Sequence, residues 1–175
     1  MEIILDIRLY IVYNVTTNAR GGAEMSFYNE YSLQADERGR LRIPSAFRTA
    51  FGDTKLYAFK NKKGCYLRIF GTDILNAMVA GFEGKVPLEE GPTSRRIRRI
   101  YKNIIDIEED KQGRFTISPK LREELKIVKD VVFIGMGNTI ELWAKEVYDE
   151  FEAQMDAEEE DGEEYSDEEF DDFKF

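Results

Sequence analysis

Residues 27–33 alternate Phe27, Asn29, Tyr31 and Leu33 with Tyr28, Glu30 and Ser32, and this period of two predicts a strand. Gly39 then supplies a turn into a short strand at 40–43. Pro44-Ser45 opens a helix with Phe47, Ala50 and Phe51 on one face, and Gly52 ends it. Strands at 55–59 and 65–70 follow around the polar turn 60–64, and then a helix runs from 72 to about 82. The same order returns further on. Ser118-Pro119 opens a helix carrying Leu121 and Leu125, with Ser118 as its N-cap and Pro119 in its first turn. Strands at 130–134 and 139–143 flank Gly135-Met136-Gly137-Asn138. A last helix, 144 to about 155, carries Val147, Tyr148 and Phe151 at helical spacing.

The repeat has a register. Asp36, Gly39, Arg40, Ile43 and Arg48 fall on Asp110, Gly113, Arg114, Ile117 and Arg122, each 74 positions later. Between the copies, 81–92 is a Gly/Pro-punctuated connector. Residues 93–104 read as a helix whose Ile97, Ile100, Tyr101 and Ile104 face inward beneath Arg95, Arg96, Arg98, Arg99 and Lys102. That basic stripe reads as a solvated or intersubunit face in preference to a DNA contact. Residues 1–24 have no counterpart in either copy and are expected to be a spurious or disordered leader, with an extra strand as the alternative.

Charge changes this picture at one end. The chain is −10 overall, but its last twenty residues, 156–175, hold 12 acids and one lysine, so the rest is near +1. So dense a run of like charge reads as a disordered tail. With no histidine and only Cys65, the sequence excludes an internal disulfide, a Cys/His zinc site and a histidine-based triad, and it points to a reducing cytoplasm. The apolar start carries Asp6 and Arg8, which argues against a signal peptide and a membrane span.

Candidate chemistry sits in the two signatures. An arginine just after a turn glycine, tied to an aspartate four residues earlier, presents a guanidinium fork suited to phosphate oxygens or a guanine edge. Arg40 and Arg114 are therefore the leading DNA-binding candidates. Around them stand Asp36, Arg38, Gly39 and Arg42 in the first copy and Asp110, Lys111 and Gly113 in the second. The same pattern also describes a purely structural turn, in which the Asp caps backbone amides and pairs with the Arg, and composition leaves both readings open. No nucleophile, metal cluster or cofactor cradle accompanies the aspartates, so neither catalysis nor a cofactor nor a small-molecule substrate is expected. Trp143 and the strand aromatics, Tyr28 and Tyr31 among them, read as core or interface.

Taken together, Phe27-Tyr28-Asn29-Glu30-Tyr31, Asp36-x-x-Gly39-Arg40-Leu41-x-Ile43-Pro44, Phe47-Arg48, Asp110-Lys111-Gln112-Gly113-Arg114, Leu121-Arg122 and Gly137-Asn138-x-Ile140-Glu141-Leu142-Trp143 resemble the MraZ family over residues 25 to about 152. The resemblance implies an α+β, mainly β fold: a swapped-hairpin β-barrel made from two tandem SpoVT-AbrB domains, with flanking helices. The expected division is a leader at 1–24, a first domain at 25–82, a connector and basic helix at 83–103, a second domain at 104–152 and an acidic tail at 153–175. It further implies a nucleoid-associated transcriptional regulator. Such a protein forms a ring homo-oligomer, binds repeated double-stranded promoter boxes through DxxxR loops, and represses its own division and cell-wall operon. The alternatives are an AbrB-like oligomeric scaffold, or an antitoxin whose acidic tail binds a partner. The tail is also a candidate electrostatic brake on the basic loops.

Overall fold

A computed structural model describes residues 27–61, 63, 65–80 and 91–160. The expected leader, residues 62 and 64 of the turn at 60–64, most of the Gly/Pro connector and the acidic run from 161 onward lie outside the described residues. The elements are β1 (Glu30–Gln34), β2 (Arg40–Arg42), α1 (Ser45–Phe51), β3 (Leu56–Lys60), β4 (Tyr66–Gly71), α2 (Thr72–Ala80), α3 (Pro92–Asn103), β5 (Ile105–Ile107), β6 (Arg114–Thr116), α4 (Pro119–Glu124), β7 (Asp130–Met136), β8 (Thr139–Ala144) and α5 (Lys145–Glu160). The fold is α+β and mainly β, as expected, and is consistent with a swapped-hairpin architecture.

All strand pairs are antiparallel. Six strands form a sheet in the order β1-β7-β8-β4-β3-β5, and β2 pairs with β6 as a separate two-stranded ribbon. The hairpins β3–β4 and β7–β8 stay paired, while the two halves interleave through β1 with β7 and β4 with β8.

Side chains alternate across the sheet, which separates two packed faces. On the inner face Leu56, Ala58, Leu67, Ile69, Val131, Phe133, Ile140 and Leu142 join one core with Leu41, Ile43, Phe47, Phe51, Phe115, Ile117 and Leu125 from the ribbon, α1 and the end of α4. On the outer face Phe59 and Phe70 pack with Ile74 and Met78 of α2 and Ile100 of α3. Further along that outer face Tyr66, Val132 and Trp143 pack with Tyr148 of α5. Between these two outer clusters Glu141, buried, accepts hydrogen bonds from Arg68 Nη2 and from Trp143 Nε1 at 2.9 Å, so its charge is compensated within the sheet.

Several boundaries differ from the sequence expectation. Strand β1 begins at Glu30 because Asn29 takes a positive φ of 76°, and Phe27 is left in an isolated bridge to Gly137. Strand β7 continues through Gly135 and Met136, which reduces the expected four-residue turn to Gly137-Asn138. Gly135 is needed for close approach: a Cβ there would stand 2.5 Å from the backbone carbon of Phe27. The short β5 had no periodic signal of its own. Tyr101, expected inward, is 57% exposed on α3, while Ile100 beside it is buried. Helix α5 runs to Glu160, so residues 153–160 of the expected acidic tail are helical. Ala153, Ala157 and the glutamates are good helix formers, and Tyr148 donates to Glu152 one turn on at 2.6 Å.

Candidate nucleic-acid interface

Each signature folds into the same turn. In the first, the Gly39 amide donates to the Asp36 carbonyl at 2.8 Å, and the Asp36 amide to the Arg40 carbonyl at 3.0 Å. Asp36 Oδ1 accepts from the amides of Arg38 and Arg40, both at 2.9 Å. In the second, Gly113 donates to the Asp110 carbonyl at 2.9 Å and Asp110 to the Arg114 carbonyl at 2.7 Å. Asp110 Oδ1 accepts from Gln112 at 2.8 Å and Arg114 at 3.1 Å. Gly39 and Gly113 sit at φ 74° and 69°, a region that favours glycine.

The amide of Arg40 is the main cause that holds the Asp36 carboxyl below its ordinary value, with the Arg40 side chain and the Arg38 amide adding to it. For Asp110 the leading cause is the Arg114 guanidinium. The guanidiniums are engaged differently. Arg40 gives only Nε to Asp36 Oδ2, at 2.6 Å. Arg114 gives both Nε, at 3.0 Å, and Nη2, at 2.9 Å, to Asp110 Oδ2. Both Nη groups of Arg40 are therefore unbonded among the described residues.

The ribbon brings the two signatures together. Arg40 lies opposite Thr116, Leu41 opposite Phe115 and Arg42 opposite Arg114. Leu41 and Phe115 point into the core, so Arg40, Arg42, Arg114 and Thr116 share the outward face. Arg42 and Arg114 stand directly opposite on adjacent strands, ~5 Å apart at Cβ, and Asp110 already offsets the charge of Arg114. Arg38 and Lys111 are exposed on the turns at opposite ends of this ribbon, since its strands are antiparallel. Neither Arg38 nor Arg42 forms a side-chain ion pair among the described residues.

Three residues outside the expected set hold the loops. Arg48 of α1 reaches the second loop, pairing with Glu109 at 2.8 Å and donating to the Gly52 carbonyl at its own helix end. Arg122 of α4 reaches the first loop and donates to the Val128 carbonyl at 2.9 Å; a Cβ on Gly39 would meet its Cδ at 2.8 Å. Each helix that follows one signature thus braces the other. Arg48 and Arg122 were visible as matching positions in the repeat, without any sign of that reach. Glu109 carried no signal, because Ala35 holds its counterpart position. Beside the second loop an open groove of about 670 Å³ is lined by Arg42, Arg48, Lys55, Glu109, Asp110 and neighbours.

Chemically, the ribbon face offers guanidinium forks on a rigid base, an arrangement suited to binding phosphate or base edges. The stripe on α3 is not part of it: α3 packs on the outer face of the sheet, whereas the ribbon packs on the inner face.

A family model described as "MraZ protein, putative antitoxin-like" matches residues 103–173, continuing past the end of the resemblance read from the sequence. A protein of Lactobacillus delbrueckii subsp. bulgaricus named "Transcriptional regulator MraZ" is 34% identical over 126 residues, covering 71% of this chain and 85% of its own length. The chain belongs to the MraZ family. Relatives with the same name in Lactobacillus johnsonii (33% over 130 residues, 71% and 85% covered) and in Caldanaerobacter subterraneus subsp. tengcongensis (33% over 127 residues, 73% and 87% covered) agree with the family assignment. The family assignment matches the sequence resemblance. Among the described residues no helix is long and apolar enough to cross a membrane.

Proposed function

We propose that this chain is a transcriptional regulator that binds double-stranded DNA through the outward face of the β2–β6 ribbon and the two DxxxR loops. The observation that carries the reading is the gathering of Arg40, Arg42 and Arg114 on one face, with Arg42 in no ion pair among the described residues and the fork of Arg40 only partly engaged. A structural turn alone accounts for the Asp–Arg pairs but not for Arg42 facing Arg114. Arg40 and Arg114 are the contacts to bases or phosphates, Arg38, Arg42 and Lys111 add phosphate contacts, and Asp36, Asp110, Gly39 and Gly113 shape the loops. No cofactor and no catalytic step belong to this function.

The names of the relatives support regulation of transcription; the cytoplasm and the nucleoid are where such a regulator would work. The finer reading is repression of the chain's own division and cell-wall operon through repeated promoter boxes, by a ring of subunits whose linked contacts raise avidity. Fluorescence anisotropy on DNA from upstream of the gene, with a scrambled control and a salt series, tests it. Wild type should bind the native repeats selectively and lose affinity steeply with salt. Arg40→Ala and Arg114→Ala should each weaken binding ~10-fold or more while the protein stays folded. If all variants bind alike, or wild type ignores the native repeats, the signatures are only turns.

A further inference from the structure

We propose that the acidic segment 161–175 docks along the basic stripe of α3 in the same chain. Arg95, Arg98, Arg99 and Lys102 are all exposed and fall at i, i+3, i+4 and i+7, one continuous line ~10 Å long on the helix surface. No acidic residue occurs within α3, and Arg95, Arg99 and Lys102 form no ion pair among the described residues. Tyr101 lies beside Arg98 and is 57% exposed, which gives the stripe an aromatic member.

The segment matches this surface in charge and composition. It carries eight acids, one lysine and four aromatic residues, Tyr165, Phe170, Phe173 and Phe175. Placement decides where it goes. Tyr66 and Phe70 lie on the same face of β4; the first packs with α5 and the second with α2 and α3. Helices α3 and α5 therefore share the outer face of the sheet, and the segment continues from the end of α5. Fifteen residues extend up to ~50 Å, ample for a crossing along one face. The ribbon packs against the inner face instead, so docking on α3 holds the acidic segment away from the DNA-binding arginines and replaces the expected electrostatic brake. Tethering supplies a local concentration on the order of millimolar, enough to occupy a site made of exposed, individually weak ion pairs.

Zero-length carbodiimide cross-linking of the full chain, mapped by mass spectrometry, tests this directly. Lys102 should couple to carboxylates of 161–175 several-fold more than the exposed Lys111 and Lys120 do, within monomer mass. The preference should disappear at high salt and fall several-fold in the triple variant Arg95→Gln, Arg98→Gln, Arg99→Gln, which keeps Lys102. Equal coupling to all three lysines overturns the proposal, as does coupling of Lys102 to Glu83, Glu89 or Glu90 instead. Coupling found only in cross-linked dimers overturns docking within one chain. Loss of DNA affinity in the triple variant, with no tail coupling in wild type, would make α3 a nucleic-acid surface. None of these outcomes depends on whether the ribbon binds DNA.

Discussion

The loops at 36–40 and 110–114 close with the same hydrogen bonds, yet they are held from behind in different ways. Behind Gly39 stands the stem of Arg122, with the carbonyl of Ile117 at 3.1 Å from where a Cβ would lie; at Gly113 the nearest atom, Glu109 Oε1, is 4.0 Å away. The first loop is fixed by close packing, the second by the Arg48–Glu109 ion pair beside an open groove. The contrast separates two things a repeated motif can carry. The Asp-x-x-Gly-Arg turn is encoded locally and recurs with its sequence. Its support comes from the other copy's helix, and there the single change from Ala35 to Glu109 replaces packing with charge.

The largest expected effect comes from the glycines. Gly39→Ala places a methyl group at positive φ and against Ile117 O, which cannot withdraw because the Ile117 amide donates to the Gly39 carbonyl at 3.0 Å. The cost should be ~2–4 kcal/mol, combining left-handed strain with overpacking. Gly113→Ala meets only the backbone term, ~1–2 kcal/mol. Urea unfolding of the two variants measures the gap; equal losses would mean that Arg122 yields freely and that the two loops are supported alike.

Breaking the bracing arginines' contacts sharpens the same contrast. Glu109→Gln removes the charge partner of Arg48, whose side chain is a third exposed, and should cost about 1 kcal/mol at low salt and less at high salt. Arg122→Met keeps an apolar stem over Gly39 but leaves the Val128 carbonyl without its donor, and its cost, also ~1 kcal/mol, should not change with salt. Unfolding of each variant at low and at high salt is the check. A salt-sensitive loss for Arg122→Met would place an unpaired electrostatic contribution at the first loop.

What the sequence made legible follows the same division between local and distant. Period-two alternation, the turn glycines, the Ser118 cap and the Gly52 stop are local, and β3, β4, β8, α1 and α4 formed close to where those signals placed them. The repeat register also located Asp36, Arg40, Asp110 and Arg114, with identical turns. Pairing across the chain is different: nothing in the spacing of β2 and β6 states that Arg42 faces Arg114, because register between segments 74 residues apart is set by the shared core that Leu41 and Phe115 fill. Glu109 was hidden for a related reason, since its partner lies in another element. Tyr101 shows a third limit. Placing it inward needed a wider apolar stripe than α3 presents, and Ile100 already fills the contact with the sheet.

The smallest effect discriminates most finely between the two aspartates. Both carboxyls are held below the ordinary 3.8, so each favours the folded loop above that pH, and the contribution is lost as pH falls through the lowered folded value. Their leading causes differ: a backbone amide for Asp36, the Arg114 side chain for Asp110. Removing the guanidinium should therefore matter unequally. Each aspartate keeps its two amide donors when the arginine becomes alanine, but the side chain is the leading cause only for Asp110, so Asp110 should move further toward its ordinary value in Arg114→Ala than Asp36 does in Arg40→Ala. Carbon-detected NMR titration of the side-chain carboxyls follows each group separately. If both aspartates shift equally, the partial engagement of Arg40 is not a real difference between the loops; if only Asp110 shifts, the fork of Arg40 is the one left more open to a ligand.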